Sequence, residues 1–246
     1  MKAIVVAHPD DESLWLSSVL AAADRVVFCF GDPFERLKLA EARRRAVAAL
    51  PLAGLVDLKL PESGGGFSVD WAEPRLTESG IAITDAAAQA RYEANFPRLV
   101  DALRPVLVGC ADVHTHNPWG EYGHAEHIQV YRAVAALQAE LGYTIWFSNY
   151  VGPASWQLAR LVGRQPCRAG QRAVQPDKVL AHRLRRVYRD NGAWTWTRWH
   201  RWPVEETLYV QPLGAALRPL SGEWLLDVTG LRWWPPPWGR ALKYLD

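Results

Sequence analysis

The feature that most constrains this chain is its first strand-turn-helix unit. Ala3-Ile4-Val5-Val6 is a short continuous apolar run, which reads as a buried β-strand. Ala7-His8-Pro9-Asp10-Asp11-Glu12 follows at once, and Ser13 to Leu20 then reads as a helix. One histidine and three carboxylates therefore share a tight strand-to-helix turn. In an open α/β sheet, ligands bind just beyond the carboxyl ends of the strands. Such a group of side chains would repel or desolvate one another there unless something positive joins them, and a divalent cation is the natural guest.

The first half of the chain repeats the alternation. Strands are expected over 25–30, 55–60, 106–109 and 143–149, and helices over 35–50, from 85 towards 103, and over 124–141. Asp85 can cap the second of these helices, and Pro97 is expected to split or kink it. A long irregular stretch, 61–84, carries Gly64-Gly65-Gly66 and reads as a functional loop. This order predicts a Rossmann-like three-layer α/β/α fold with a mostly parallel sheet of order 3-2-1-4-5. After about Val151 the pattern changes to a basic helix over 177–190 and short strand-like runs over 206–211 and 223–229. The run from Trp233 to Trp238 holds three prolines and cannot be helical. The reading is one domain over 1–246, with a core over 1–150 and a small Trp/Arg-rich C-terminal lobe over 151–246.

Composition narrows the class. With 246 residues, 49% hydrophobic and 22% charged, the chain can bury a large core. No apolar run is long enough to span a bilayer, and the charges from His8 to Glu12 stand where a secretory signal would be apolar. Cys29, Cys110 and Cys167 are isolated, which suggests reduced thiols and a cytoplasmic setting. Between Arg160 and Arg201 there are eleven Lys or Arg against Asp177 and Asp190, a balance of +9 within a net charge of +2. This segment points to an anionic substrate or surface, the plainer alternative being a solvated face.

A second constellation is Tyr122-Gly123-His124-Ala125-Glu126-His127. His124 and His127, three apart at a helix start, project from one face. In the sheet order above, strands one and four are neighbours at the topological switch point, so both constellations converge in one crevice. His8, Asp11 and His127 would make two imidazoles and one carboxylate with an open position, as catalytic zinc requires and ferrous iron also accepts. Asp10 points elsewhere and is free to take a proton from water. Glu12 reads as structural, favouring the helix dipole or orienting a ligand histidine. His114, His116, His182 and His200 take surface or structural roles by default, and the first two, on the active-site loop, could also support the ligand residues.

These residues resemble the LmbE-like, or PIG-L, family of zinc-dependent N-acetylglucosaminyl deacetylases, over roughly residues 2 to 150. The resemblance implies His8, Asp11 and His127 as zinc ligands and Asp10 as general base. It also implies that His124 assists the tetrahedral intermediate or leaving amine and that Tyr122 helps polarise the amide carbonyl. Two positions depart from the family pattern. Lys38-Leu39-Ala40-Glu41 stands for Arg-x-x-Glu, which makes Lys38 the candidate substrate contact. Pro61-Glu62-Ser63-Gly64 replaces an Asp after strand three. The implied activity is removal of an N-acetyl group from an N-acetylglucosamine-type sugar or glycoconjugate. Rival readings are an amidase on larger thiol conjugates and a non-catalytic sugar- or nucleotide-binding module. The expected partner is a small amino-sugar substrate, not a nucleic acid; the sequence leaves the oligomeric state open. Eight of the thirteen tryptophans lie from Trp194 to Trp238. With Arg185, Arg186 and Arg189 they are expected to form a cleft wall that selects an anionic substrate, unless they merely pack the lobe.

Overall fold

Ala3, Val5 and Ala7 face one apolar cluster and Ile4 and Val6 another, all fully buried. A strand covered on both faces has no polar side to show, which is why this segment reads as a continuous apolar run. The computed structural model describes residues 1–231 and 242–244, so the expectation for Trp233 to Trp238 lies outside the described residues.

The first elements are β1 (Lys2–Val6), α1 (Asp11–Trp15), α2 (Ser17–Leu20), β2 (Arg25–Phe28), α3 (Leu37–Ala49) and β3 (Leu55–Asp57). A small hairpin, β4 (Leu76–Thr77) and β5 (Gly80–Ile81), interrupts the long loop. Then come α4 (Ala86–Leu107), β6 (Asp112–Thr115), α5 (Ala125–Leu141), β7 (Thr144–Ser148) and β8 (Tyr150–Val151). The remainder holds α6 (Trp156–Gly163), β9 (Gly170–Val174), α7 (Lys178–Asp190), β10 (Glu206–Gln211), β11 (Trp224–Asp227) and β12 (Leu242–Tyr244).

The main sheet has the order β3-β2-β1-β6-β7-β10-β9. Its first five strands are parallel and follow the expected 3-2-1-4-5 order. β10 and β9 extend it antiparallel, so the chain after Val151 completes the same sheet. One face is covered by α4, α5 and α6, and the other by α1, α2, α3 and α7. This is the expected three-layer α/β/α architecture. No described helix is long and apolar enough to cross a membrane.

Two expectations are corrected. The apolar run at Val106 to Gly109 is not a strand, because α4 continues to Leu107 through Pro97 and Pro105. Tyr92, Leu99, Leu103 and Leu107 form a fully buried stripe at helical spacing, and that packing overrides the local cost of proline. The fourth core strand is instead β6, whose sequence Asp-Val-His-Thr carries little apolar signal. Its register, Val5 opposite Thr115, brings the residues after β1 and after β6 side by side.

Candidate metal centre

The turn after β1 is built around a left-handed Asp10, with φ 110°, a conformation that Asp tolerates better than most residues. Asp11 N donates to His8 O at 3.2 Å, Ser13 Oγ donates to Asp10 O at 2.8 Å, and Asp10 N donates to Glu12 Oε2 at 3.1 Å. The two aspartates diverge as a result. Asp11 faces the histidines. Asp10 faces Thr195, whose backbone N and Oγ1 both donate to Asp10 Oδ2 at 2.8 Å. Asp10 Oδ1 has no hydrogen bond among the described residues.

Asp11 Oδ2 is the meeting point. It lies 3.2 Å from His8 Nδ1, 3.3 Å from His127 Nε2 and 3.6 Å from His116 Nε2. The other nitrogen of each ring fixes its tautomer. His8 Nε2 is 3.0 Å from Glu126 Oε2, and His127 Nδ1 is 2.7 Å from Glu121 Oε2. Facing a carboxylate, each of these nitrogens carries the proton. His8 Nδ1 and His127 Nε2 then face the Asp11 carboxylate, and in the neutral rings each would present a lone pair there. His127 Nε2 is buried and has no hydrogen-bond partner. Two such lone pairs and a carboxylate oxygen at this separation require a positive charge between them, and this donor set fits a divalent cation.

His116 is different. Ala7 N donates to its Nε2 at 2.8 Å, so that lone pair is already used, and Nδ1 lies 3.0 Å from Glu121 Oε2. It stacks on His127 with ring centroids 3.8 Å apart. Donor atoms within 4.8 Å of one another form three overlapping groups: His8-His124-His127, Asp11-His116-His127 and His8-Glu62-Glu126. The expected set of His8, Asp11 and His127 spans these groups and is joined through Asp11 Oδ2.

Burial alone would lower His8, yet Asp11 and Glu126 hold it up at about 10, so its Nδ1 carries a proton that a bound cation would displace. Burial would raise Glu126, but His8 and His124 bring it down to about 2. Glu121, despite burial, stands below its ordinary value because of His116 and His127. Both glutamates therefore remain ionised, as partners of metal-binding histidines generally are. Asp10 moves the other way: burial and Asp11 push it up to about 7 against the Thr195 hydrogen bonds. Burial, then His8 and His127, hold His124 well below its ordinary value, so its ring is neutral.

A crevice of about 200 Å³ opens onto this cluster. His8, Glu62, Tyr122, His124, Thr195 and Trp196 line it, with Arg36, Leu39, Arg43 and Phe67. Tyr122 packs on Trp196 at 4.6 Å, and Phe67 meets the edge of His124 at 4.8 Å. Gly66 is required by close approach: a Cβ there would stand 2.5 Å from the His124 ring.

The fold thus brings together His8, Asp10, Asp11, Tyr122, His124 and His127. Lys38 lies exposed on α3 and does not line the crevice. Leu39 and Arg43 of α3, with Arg36 just before it, do so, and Arg43 pairs with Glu62 at 2.5 Å. Arg185, Arg186 and Arg189 line a different groove. Glu12 does not orient a histidine. Its Oε1 accepts from Tyr188 Oη at 2.9 Å, because the turn aims it at α7. Sequence reasoning left Glu121, Glu126, Glu62, Arg43 and Thr195 without a role in the site, and His116 with only a possible one. The available signals were the position of His116 just after a parallel strand and the two glutamates interleaved with the second histidine constellation.

No family model matches the chain. It is 33% identical over 176 residues to the 1D-myo-inositol 2-acetamido-2-deoxy-alpha-D-glucopyranoside deacetylase of Rhodococcus opacus, covering 64% of this chain and 59% of that protein. To the protein of the same name from Corynebacterium kroppenstedtii it is 32% identical over 166 residues, covering 57% of this chain and 41% of the other. The chain thus spans about half the length of the curated relatives it matches. Among solved structures, the deacetylase–teicoplanin complex of the teicoplanin biosynthesis pathway matches with a TM-score of 0.56 at 13% identity, covering 87% of this chain and 99% of that one. The A40926 pseudoaglycone deacetylase matches with a TM-score of 0.53 at 13% identity, covering 87% and 98%. At such identities the likeness is one of fold. With the His-Pro-Asp-Asp-Glu turn and the Gly-His-x-x-His group side by side at the switch point of this fold, and with these relatives, the chain is similar to members of the LmbE-like, or PIG-L, family.

Proposed function

We propose that this chain is a metal-dependent hydrolase that removes the N-acetyl group of an amino sugar or glycoconjugate and releases acetate. The observation that carries this reading is the pair of histidine nitrogens turned towards Asp11, with the unliganded Asp10 beside them in a crevice. The relatives named above act, by their names, on a 2-acetamido sugar, which supports the N-acetyl substrate class.

His8, Asp11 and His127 would hold the ion, with Glu126 and Glu121 fixing the two rings; two nitrogens and one oxygen suit zinc, and ferrous iron is also accommodated. A divalent ion there supplies positive charge that acidifies water and steadies an oxyanion. Asp10 takes the proton of the attacking water. Thr195, which lines the crevice, holds one carboxylate oxygen and leaves the other to take the proton. Tyr122 and His124 line the crevice where charge develops on the amide oxygen. Asp10 then returns the proton to the departing amine. Arg43, set by Glu62, and Arg36 offer donors to sugar hydroxyls in the place expected of Lys38. Cys29, Cys110 and Cys167, all buried free thiols, support a reducing compartment such as the cytoplasm.

Acetate release from a panel of N-acetylhexosaminides, assayed with the wild type and Asp10→Asn, tests the proposal. The expected result is measurable release by the wild type and a loss of about 10²–10⁴ in turnover in the variant, with metal retained. No acetate from any N-acetyl sugar, or near-normal turnover in Asp10→Asn, would overturn it.

A further inference from the structure

The strongest feature outside the crevice is on α7. Lys178, His182, Arg185 and Arg189 recur at intervals of four, three and four, so they form one stripe about 16 Å long. The adjoining stripe, Ala181, Leu184 and Tyr188, is buried. Two hollows follow the basic stripe, of about 440 and 660 Å³, and both are lined by His182 and Arg185. The first adds Arg198, Trp199, His200 and Trp202, and the second adds Arg186, Arg189 and Asp190.

Among the described residues, Lys178, Arg185, Arg186, Arg189 and Arg198 form no ion pair, and Asp190 is the single carboxylate lining either hollow. Two guanidiniums lie on indoles instead of reaching for acids: Arg185 is 5.2 Å from the ring of Trp202, and Arg198 is 4.2 Å from that of Trp199. Arg185 also bonds His200 O at 3.1 Å and His182 Nδ1 at 2.8 Å, so its plane is fixed and its remaining N–H groups, with those of Arg198, are left for a ligand.

A second, independent observation comes from His200. It is 98% buried and lines the first hollow, and its Nε2 has no hydrogen-bond partner. Trp196 Nε1 donates to His200 Nδ1 at 3.2 Å, so Nε2 is the nitrogen that carries the proton. A buried N–H without an acceptor is rare, and one in a cationic hollow calls for an anionic oxygen.

We propose that this double hollow binds a ligand carrying more than one phosphate group, with a flat or apolar part against Trp199 and Trp202. Five cations against one carboxylate far exceed what a single carboxylate ligand would offset, whereas each phosphate brings about −2. The site shares no lining residue with the crevice, and the inference stands apart from the proposed hydrolysis.

Calorimetric titration of the full chain with inorganic pyrophosphate and with inorganic phosphate, at low and high salt, tests it. Pyrophosphate is expected to bind more tightly than phosphate and to weaken with salt. It should weaken at least about tenfold in each of two double variants, Arg185→Gln/Arg189→Gln and Arg186→Gln/Arg198→Gln. Arg44→Gln, an exposed arginine paired with Asp32 elsewhere, should change nothing. Absence of pyrophosphate binding by the wild type, or unchanged affinity in both double variants, would overturn the proposal. Flotation with phosphatidylcholine vesicles containing phosphatidic acid names the source. Binding displaced by pyrophosphate supports the site as one for a lipid headgroup, and pyrophosphate binding without flotation supports it as one for a free phosphorylated molecule.

Discussion

Glu121 does more for the site than any residue singled out for chemistry. One of its oxygens accepts from both His116 and His127, and the other accepts from Asn117 N at 2.9 Å. The residue is held with φ at 47°, so the site stores backbone strain at Glu121 as well as at Asp10. The charge of Glu121 is what leaves His127 Nε2 bare. Glu121→Gln keeps the size and loses that charge, and it is expected to weaken metal binding by about 10–100-fold. Titration against a competing chelator measures this; unchanged affinity would show that His127 needs no such partner. At this scale the sequence was legible where chemistry concentrates in a few adjacent residues, as in His8 to Glu12. It was not legible where a role depends on a tautomer. The histidine at 116 resembles a ligand in type and position, and only the Ala7 N–H on its Nε2 excludes it.

At the scale of elements, sequence and structure part at α4 and β6. Local propensity places a break at Pro97 and a strand at Val106 to Gly109. The buried stripe from Tyr92 to Leu107 decides otherwise, and Val108, apolar by composition, is 57% exposed. Four of the five parallel strands, the order of the sheet and the helices α3, α5 and α7 were legible, because their periodicity is set by burial on one or both faces. β6 was not, because its central position is held by a polar sequence that includes His114. That histidine is buried and stacks on Trp146 with ring planes 11° apart. Burial, against an opposing Asp112, pushes it down to about 4 from 6.5. The unfolded chain takes up this proton below about 6.5 and the folded chain only below about 4. The stability contributed above 6.5 is therefore lost as pH falls towards 4. Replacing His114 with Phe removes the titration and retains the stacking. Urea midpoints of wild type and His114→Phe should diverge between pH 6.5 and 4, by about 3 kcal/mol in full, against the wild type. Parallel pH profiles would contradict this origin.

At the scale of the whole molecule, the chain after Val151 holds the turn after β1 in place. Thr195 bonds Asp10, Tyr188 bonds Glu12, and Trp202 Nε1 donates to Ser13 O at 2.6 Å. Three positions of the turn and the start of α1 are thus fixed from a segment some 180 residues away, a coupling that local sequence cannot reveal. The expected wall of the cleft is formed by Thr195 and Trp196, whereas the arginines of α7 face away from it. Glu12, buried and raised to about 8, stays neutral with its bond to Tyr188, so it adds no further charge beside Asp11. The negative charge that remains converges on the cluster at the switch point between β1 and β6. Elemental analysis of purified wild type and His127→Ala, after dialysis against metal-free buffer and reloading with one equivalent of zinc, tests this assignment most directly. The account requires about one ion per chain in the wild type and a small fraction of that in the variant, with acetate release lost in parallel. Full occupancy in His127→Ala, or a wild type that retains no ion, would contradict it.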